Sequence, residues 1–233
     1  MSKRHVESPT SLKLFLQCPA LYKAQYVDRV YKSESNRYLE RGIRVHELME
    51  RSVKGEAVDW SDEPGVKRNV APILEALKRY ADEGFEIIAE TQAAVDKDGN
   101  AVDWWDDSAI YRSKIDLLMV DRERDIRVIM DWKTGKTPGE PLYQLGFNAM
   151  CLYPLFGAAR FRVAFVYVDA DRAEWFSVIG GWNNAWLTDE SGKTMEELAR
   201  SLAQVNSAYD SRNFPATPND KCRWCGWKKC GLA

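Results

Sequence analysis

Four cysteines near the two ends of the chain have a spacing that suits a shared metal centre. Cys222 and Cys225 are separated by two residues, and Cys230 follows shortly after them. Thiolates at this spacing can reach one metal ion, but three ligands leave a four-coordinate site incomplete. Cys18 is the expected fourth ligand, so the metal would join the C-terminus to an N-terminal helix. Zinc and an iron–sulfur cluster both accept four thiolates, and the spacing of the cysteines does not distinguish between them.

A second group of residues has the chemistry of a divalent-cation site. Asp116 lies in one apolar run, and Asp131 and Lys133 lie in the next. Side chains two residues apart on a strand share a face, so Asp131 and Lys133 project together and Asp116 can lie opposite them. Carboxylates are ligands for Mg²⁺ or Mn²⁺, and a neighbouring ammonium can orient water or stabilise phosphate charge. The pattern favours phosphodiester hydrolysis, although an isolated Asp-x-Lys is more often a solvated ion pair.

His46, one of two histidines, lies on a predicted helix with Gly42 one turn before it and Glu50 one turn after it. A lone helical histidine is more often structural than a ligand. If this helix packs over the open edge of the carboxylate site, the imidazole would favour Mn²⁺ over Mg²⁺.

The periodicity of apolar residues predicts one α/β unit with a central mixed sheet flanked by helices. Helices are expected at residues 8–26, 37–53, 66–83, 141–156 and 188–209, and strands at 85–95, 109–120, 127–133, 161–168 and 174–179. We divide this single domain into a helical N-terminal part, a core, and a C-terminal helix with the cysteine tail, at residues 8–84, 85–185 and 186–233.

The composition is that of an ordinary globular protein. A net charge of −2 argues neither for nor against a nucleic-acid partner. The sequence has no apolar run of membrane-spanning length and no signal-peptide pattern, so we expect a cytoplasmic location without membrane association. In a reducing compartment, spaced cysteines favour metal ligation over disulfides. Cys151, in an apolar helical run, is expected to be a buried small hydrophobe.

In their order along the chain, these motifs resemble the PD-(D/E)XK nuclease superfamily, in the branch that contains the RecB and AddB nuclease domains, Cas4 and the Dna2 nuclease. The likeness covers nearly the whole sequence and rests on residues 8–22, 42–46, 114–116, 131–135 and 214–230. It implies a restriction-endonuclease-like core and a structural [4Fe-4S] cluster, rather than zinc, on Cys18, Cys222, Cys225 and Cys230.

The resemblance also implies roles for the residues of the acidic site. His46, Asp116, Asp131 and the backbone carbonyl of Trp132 would hold Mg²⁺ or Mn²⁺. Catalysis would rest on the two aspartates with Lys133, which positions the attacking water, and Gln144, which steadies Lys133 or the substrate. Glu90 is either an outer-sphere contact or an exposed strand carboxylate. Basic residues expected to contact nucleic-acid phosphates are Arg112, Lys114, Lys136 and Arg223.

Two positions depart from the pattern of the family. Asn148 stands where a tyrosine is expected, one helical turn after Gln144, and Ser113 stands near where a glycine is usual. Neither residue is a metal ligand, so the departures bear on substrate positioning rather than on hydrolysis.

The expected function is a divalent-metal-dependent DNA exonuclease acting on single-stranded ends, in recombination, repair, phage replication or CRISPR adaptation. The sequence has no helicase motifs, so any motor would be a separate partner, in a bacterial, archaeal or phage-infected cell. Two alternatives stay open: a catalytically inactive nucleic-acid-binding subunit of a larger complex, and a zinc-stapled interaction domain. The sequence determines neither the polarity of digestion nor the choice between DNA and RNA.

Overall fold

A computed structural model describes residues 4–135, 141–156, 160–179, 186–188 and 194–230. Its α-helices are α1 (Pro9–Gln17), α2 (Pro19–Tyr22), α3 (Arg37–Val53), α4 (Pro64–Asp82), α5 (Tyr143–Phe156) and α6 (Thr194–Ser211), and α2 continues as a π-helical turn at Lys23–Val27. Its strands are β1 (Glu86–Val95), β2 (Ala101–Val102), β3 (Tyr111–Asp121), β4 (Ile126–Lys133), β5 (Arg160–Tyr167), β6 (Arg172–Ile179) and β7 (Trp186–Thr188). None of the described helices has both the length and the apolar character that a bilayer crossing requires.

In the described part of the chain, the strands form one seven-stranded sheet in the order β2-β1-β3-β4-β5-β6-β7. Its neighbouring strands are antiparallel except β4 and β5, which are parallel. A parallel pair needs a crossover connection, and α5 lies in the segment that supplies it. The predicted fold class, a mixed sheet flanked by helices, is confirmed.

Each face of the sheet carries its own apolar cluster. One cluster joins the sheet to α1, α5 and α6, and includes Leu12, Phe147 and Leu198. The other joins it to α3 and α4, and includes Val45 and Val70. Because helices cover both faces, the central strands carry nearly continuous apolar runs, and their ends are where polar groups can meet.

Two of the predicted element boundaries are wrong. The expected helix over residues 8–26 is interrupted at Cys18, whose backbone is extended, with φ −162° and ψ 104°. Pro19 explains the interruption, since a proline disfavours the helical conformation in the residue before it. The helix expected from residue 188 begins instead at Thr194, and Thr188 ends β7, which pairs with β6. The sheet therefore extends past residue 185. The short β2 was not predicted either.

Candidate active site

Three side chains from three different elements meet beneath α3. A ring nitrogen of His46 on α3, a carboxylate oxygen of Glu90 on β1 and one of Asp116 on β3 all lie within 4.8 Å of one another. His46 Nδ1 is 3.2 Å from Asp116 Oδ1. The three residues and Lys114 line an open cavity of about 410 Å³. One imidazole and two carboxylates form a donor set suited to a divalent cation.

The sequence of α3 fixes where His46 lies. The Asn36 side chain caps the helix by accepting the backbone N–H groups of residues 38 and 39. Val45 and Met49 are fully buried against α4 and the sheet, which sets the rotation of the helix. The Cβ that Gly42 lacks would lie 3.5 Å from Thr134 Oγ1, so α3 passes close to the end of β4. His46 lines the cavity from α3, opposite Glu90 and Asp116 in the middle of β1 and β3.

A local break in the sheet places Glu90 and Asp116 at the cavity. β1 and β3 pair on both sides of these two residues, but the Glu90–Asp116 pair is absent from the ladder. Glu90 has a φ of 57°, in the left-handed region that a non-glycine residue rarely adopts. On β3, Ile115 packs in the apolar cluster on the α5 side of the sheet, whereas Leu117 packs in the cluster on the α3 side. Residues two apart on a regular strand share a face, so the alternation of faces is interrupted at Asp116. Such strain in mid-strand is typical of functional sites.

Burial and neighbouring charges shift the pKa values of His46 and Glu90. Burial lowers the pKa of His46, but the hydrogen bond to Asp116 and the charges of Asp116 and Asp131 outweigh burial and raise it overall. Burial raises the pKa of Glu90, and its ion pair with Lys114 opposes that rise. Two carboxylates held together beside one imidazole therefore favour a bound cation, which removes their mutual repulsion.

Asp131, Lys133 and Gln144 form a second group next to the first. Lys133 Nζ lies 2.6 Å from Asp131 Oδ2 and donates to Gln144 Oε1 at 3.0 Å. Gln144 Nε2 donates to Asp131 Oδ1 at 2.7 Å, so each of the three side chains contacts the other two. Burial and the nearby Asp116 charge raise the pKa of Asp131 to about 6, and Lys133 opposes the rise. Gln144 thus holds the ammonium and the carboxylate in fixed positions.

The structure divides the ligand set expected from the sequence. His46 and Asp116 lie together, but Glu90 completes their trio, and both oxygens of Asp131 face Lys133 and Gln144. The Trp132 N–H donates to Asp116 Oδ2 at 2.8 Å. Because the N–H and C=O of a strand residue point to the same neighbouring strand, the Trp132 carbonyl also points toward the β3 side. Ligation by Asp131 and by this carbonyl stays a prediction.

A salt-bridge frame ties α3 to the loop after β4. Arg41 donates to Asp169 at 2.8 and 2.6 Å, and its other contacts go to Glu63. Asp169 Oδ2 also accepts the backbone N–H of Gly135 at 2.7 Å. Gly135 has a φ of 115°, which favours glycine at this turn. The hydrogen bonds to Asp169, then those to Glu63, raise the pKa of Arg41, so the guanidinium stays charged.

The two departures from the family pattern contact each other. Ser113 Oγ on β3 donates to Asn148 Oδ1 on α5, and both residues are almost fully buried. This bond links the strand of Asp116 to the helix of Gln144. Asn148 Nδ2 is buried without a hydrogen-bond partner, an arrangement that carries a desolvation penalty. Two unusual residues therefore form one polar bridge within an apolar layer.

The four predicted cluster cysteines line a single pocket between the two ends of the described chain. Backbone contacts hold the ends together: Ala20 N–H donates to Pro215 O at 3.2 Å, and Asn219 Nδ2 donates to Gln17 O at 3.1 Å. A tetrahedral zinc site would place its sulfurs about 3.8 Å apart. Among the described residues, no three cysteine sulfurs lie within 4.8 Å of one another, so the thiols form no compact metal-ligand set. Cys151 is fully buried in α5, and burial raises the pKa of its thiol.

The basic residues expected to contact nucleic acid are spread over several places. Lys114 lines the cavity and pairs with Glu90. The Arg112 guanidinium lies 5.5 and 5.3 Å from the rings of Trp104 and Trp105, outside the residues that line the cavity. Arg223 lies over Trp224 in the cysteine tail, and Lys136 is outside the described residues. Of these four, the structure therefore brings Lys114 to the acidic trio.

Sequence reasoning missed the contributions of Glu90 and Asp169. Glu90 was predicted as an outer-sphere contact or an exposed carboxylate, but the structure makes it a member of the trio. Asp169 lies between the strands predicted at residues 161–168 and 174–179, and no role was predicted for it. The carboxylate within an apolar strand was a signal for Glu90; no local pattern indicates the contacts of Asp169.

The sequence matches one known protein family. Residues 7–230 match the family model of the PD-(D/E)XK nuclease superfamily. No curated protein matches the sequence significantly. Among solved structures, the chain is similar to one described as "Crystal structure of SSO0001", with 14% identity, 94% of this chain and 93% of that chain covered, and a TM-score of 0.33. So loose a superposition adds nothing to the argument from the family and the site.

Proposed function

Because the chain belongs to the PD-(D/E)XK nuclease superfamily, we propose that the cavity beneath α3 is the active site of a divalent-metal-dependent DNA exonuclease acting on single-stranded ends. The observation that carries the proposal is the trio His46, Glu90 and Asp116, with ligand atoms within 4.8 Å of one another. A divalent cation shared by these three side chains would offset the repulsion between the two carboxylates.

The donor chemistry of the trio fits Mg²⁺ or Mn²⁺. Carboxylate oxygens suit both ions, and the His46 nitrogen favours Mn²⁺. A bound ion would polarise the phosphoryl group and lower the pKa of a coordinated water. The hydrogen bond from Trp132 N–H to Asp116 Oδ2 leaves Oδ1 on the side of His46. We propose Asp131 as a further ligand or as the partner that keeps Lys133 in place.

Lys133 is proposed to position the attacking water or to stabilise charge on a phosphate oxygen. Its ammonium is held between Asp131 and Gln144, and the side chain is 17% exposed. A fixed ammonium beside the cation site stabilises developing negative charge without having to reorganise during the reaction. Gln144 acts by positioning, since its amide contacts both of the other groups.

A [4Fe-4S] cluster held by Cys18, Cys222, Cys225 and Cys230 belongs to the same proposal. Support comes from the common pocket that the four thiols line at the two ends of the described chain. The Asn219 N–H donates to Cys222 Sγ at 3.4 Å, a contact that would stabilise a thiolate ligand. Such a cluster would fix the C-terminal tail against the start of the chain. Anaerobic purification followed by metal analysis should give about four irons per chain, whereas one zinc per chain would overturn this part of the proposal.

The nuclease proposal is tested with end-labelled single-stranded DNA, Mn²⁺ and purified protein. We expect Asp116→Asn and Lys133→Ala each to lower the cleavage rate by about 100-fold or more. Asp98→Asn, at an exposed carboxylate paired with Lys97, is the matched control and should leave the rate unchanged. Undiminished cleavage by Asp116→Asn would refute the site.

The same experiment distinguishes the nuclease from the two alternative functions. Tight oligonucleotide binding by the wild-type protein without cleavage under any metal would indicate a non-catalytic binding subunit. Neither binding nor cleavage, together with zinc in the tail, would indicate a stapled interaction domain. Action in the cytoplasm alongside a separate helicase or recombination complex is part of the proposal, and co-purification with such a motor is its test.

A further inference from the structure

Three large apolar side chains on α3 are exposed beside the acidic trio. Tyr38, Leu39 and Ile43 have 70%, 53% and 51% of their surface exposed. All three line the same cavity as His46, Glu90 and Asp116. A contiguous exposed apolar surface at the rim of a candidate active site indicates a binding function.

These side chains are not needed for the folding of α3. The helix is anchored by Val45 and Met49, which are completely buried, and by its Asn36 cap. Tyr38, Leu39 and Ile43 line the cavity, and none of them belongs to either apolar cluster of the sheet. Their exposure therefore lowers solubility without a gain in core packing, and contact with a ligand would offset that penalty.

The helix geometry sets the distance from this apolar surface to the cation site. At a rise of 1.5 Å per residue, Ile43 lies about 4.5 Å and Tyr38 about 12 Å from His46 along the axis. An unstacked strand whose phosphate lay at the trio would pass this surface within roughly its next one or two nucleotides.

We propose that Tyr38, Leu39 and Ile43 form a stacking surface for the unstacked bases of single-stranded DNA next to the cleaved phosphate, in which the Tyr38 ring stacks on a base and the two aliphatic side chains make apolar contacts with it. The inference rests on the proposed nuclease function and deepens it. Bases in a duplex turn inward and present no free face, so this surface would favour single strands. The ammonium of Lys114 in the cavity and the Arg37 guanidinium, 4.8 Å from the Tyr38 ring centre, supply positive charge for the backbone.

The test compares a single-stranded oligonucleotide with versions that carry one abasic residue at successive positions. Affinity is measured by fluorescence anisotropy without added divalent ion, and kcat/KM is measured with Mn²⁺. At the position that meets the surface, wild-type protein should prefer the base over the abasic residue by about 5- to 30-fold. Tyr38→Ala and Ile43→Ser should each reduce this preference toward 1, and Tyr38→Phe should retain it.

Leu155→Ala is the control, because Leu155 is an exposed apolar residue that does not line the cavity. It should keep the wild-type preference. Cleavage with no preference for a base at any position would overturn the stacking surface and leave the nuclease proposal standing. A preference in binding that Tyr38→Ala abolishes, without cleavage by any form of the protein, would support the surface and refute the nuclease. An equal preference in Tyr38→Ala and wild-type protein would also overturn the inference.

Discussion

Replacing Asp169 with asparagine should weaken the frame that holds α3 over the site. The Asp169 carboxylate accepts two hydrogen bonds from Arg41 and one from the backbone N–H of Gly135. Asparagine has nearly the same shape, but it carries no charge and offers only one acceptor oxygen. The substitution therefore removes the bidentate ion pair while leaving the surrounding packing nearly unchanged.

The size of the effect follows from these contacts. A hydrogen bond to a charged group contributes about 1.5–3 kcal/mol, and the substitution weakens two or three of them. The Arg41 side chain is 32% exposed and keeps its contacts with Glu63, so screening and the remaining pair reduce the loss. We expect the free energy of unfolding to fall by about 2 kcal/mol, which lowers Tm by about 4–8 °C in a protein of this size.

The assay is urea unfolding followed by circular dichroism, alongside the Mn²⁺-dependent cleavage rate. Asp98→Asn, which removes an exposed ion pair with Lys97, is the control and should change stability by less than about 0.5 kcal/mol. A double-mutant cycle with Arg41→Gln should show coupling of about 1 kcal/mol or more. Equal stability of Asp169→Asn and wild-type protein would refute the frame.

Three further predictions concern the trio, the buried bridge and acid stability. Glu90→Gln should weaken Mn²⁺ binding about 10- to 100-fold in titrations followed by electron paramagnetic resonance, because it removes one ligand charge; unchanged affinity would exclude Glu90 from the site. Ser113→Ala should lower stability by about 1–2 kcal/mol by leaving Asn148 unpaired, whereas Ser113→Ala with Asn148→Leu should recover most of the loss; additive losses would contradict the bridge. Burial is the main cause that lowers the pKa of His5 to about 4, and the charges of Arg29 and Arg112 add to it. Between about pH 6.5 and 4, the unfolded chain therefore binds a proton at His5 that the folded protein does not bind. Stability should fall by about 1–2 kcal/mol as the pH drops through that window, and His5→Gln should lose this part of the slope in urea titrations at several pH values.

The Ser113–Asn148 bridge joins the two residues that depart from the pattern expected from the sequence. The two polar side chains are buried and hydrogen-bonded to each other. The pair connects the elements of Asp116 and Gln144, so its expected effect is on the relative position of these two groups.

Much of the fold was predictable because it depends on local periodicity. Apolar spacing predicted α3 with its observed bounds, and the alternation in β1 and β4 predicted their extents to within a residue. The sequence analysis predicted one continuous helix through Cys18 because the spacing of apolar residues continues past this position. Pro19 was nevertheless a signal of the interruption, since a proline disfavours the helical conformation in the residue before it. The three-residue β7 is too short to show a period.

The chain sequence alone determined which chemical groups are available and on which elements they lie. It placed His46 on a helix, Asp116, Asp131 and Lys133 on neighbouring strands, and four cysteines at the two ends, because these features depend on residue type and spacing. The tertiary structure decided which carboxylates meet the imidazole. Glu90 itself adopts a left-handed backbone conformation in the middle of β1, and its carboxylate lies beside His46 and Asp116. Asp131 instead contacts Lys133 and Gln144. Such a choice depends on packing between elements distant in sequence, which no local pattern encodes.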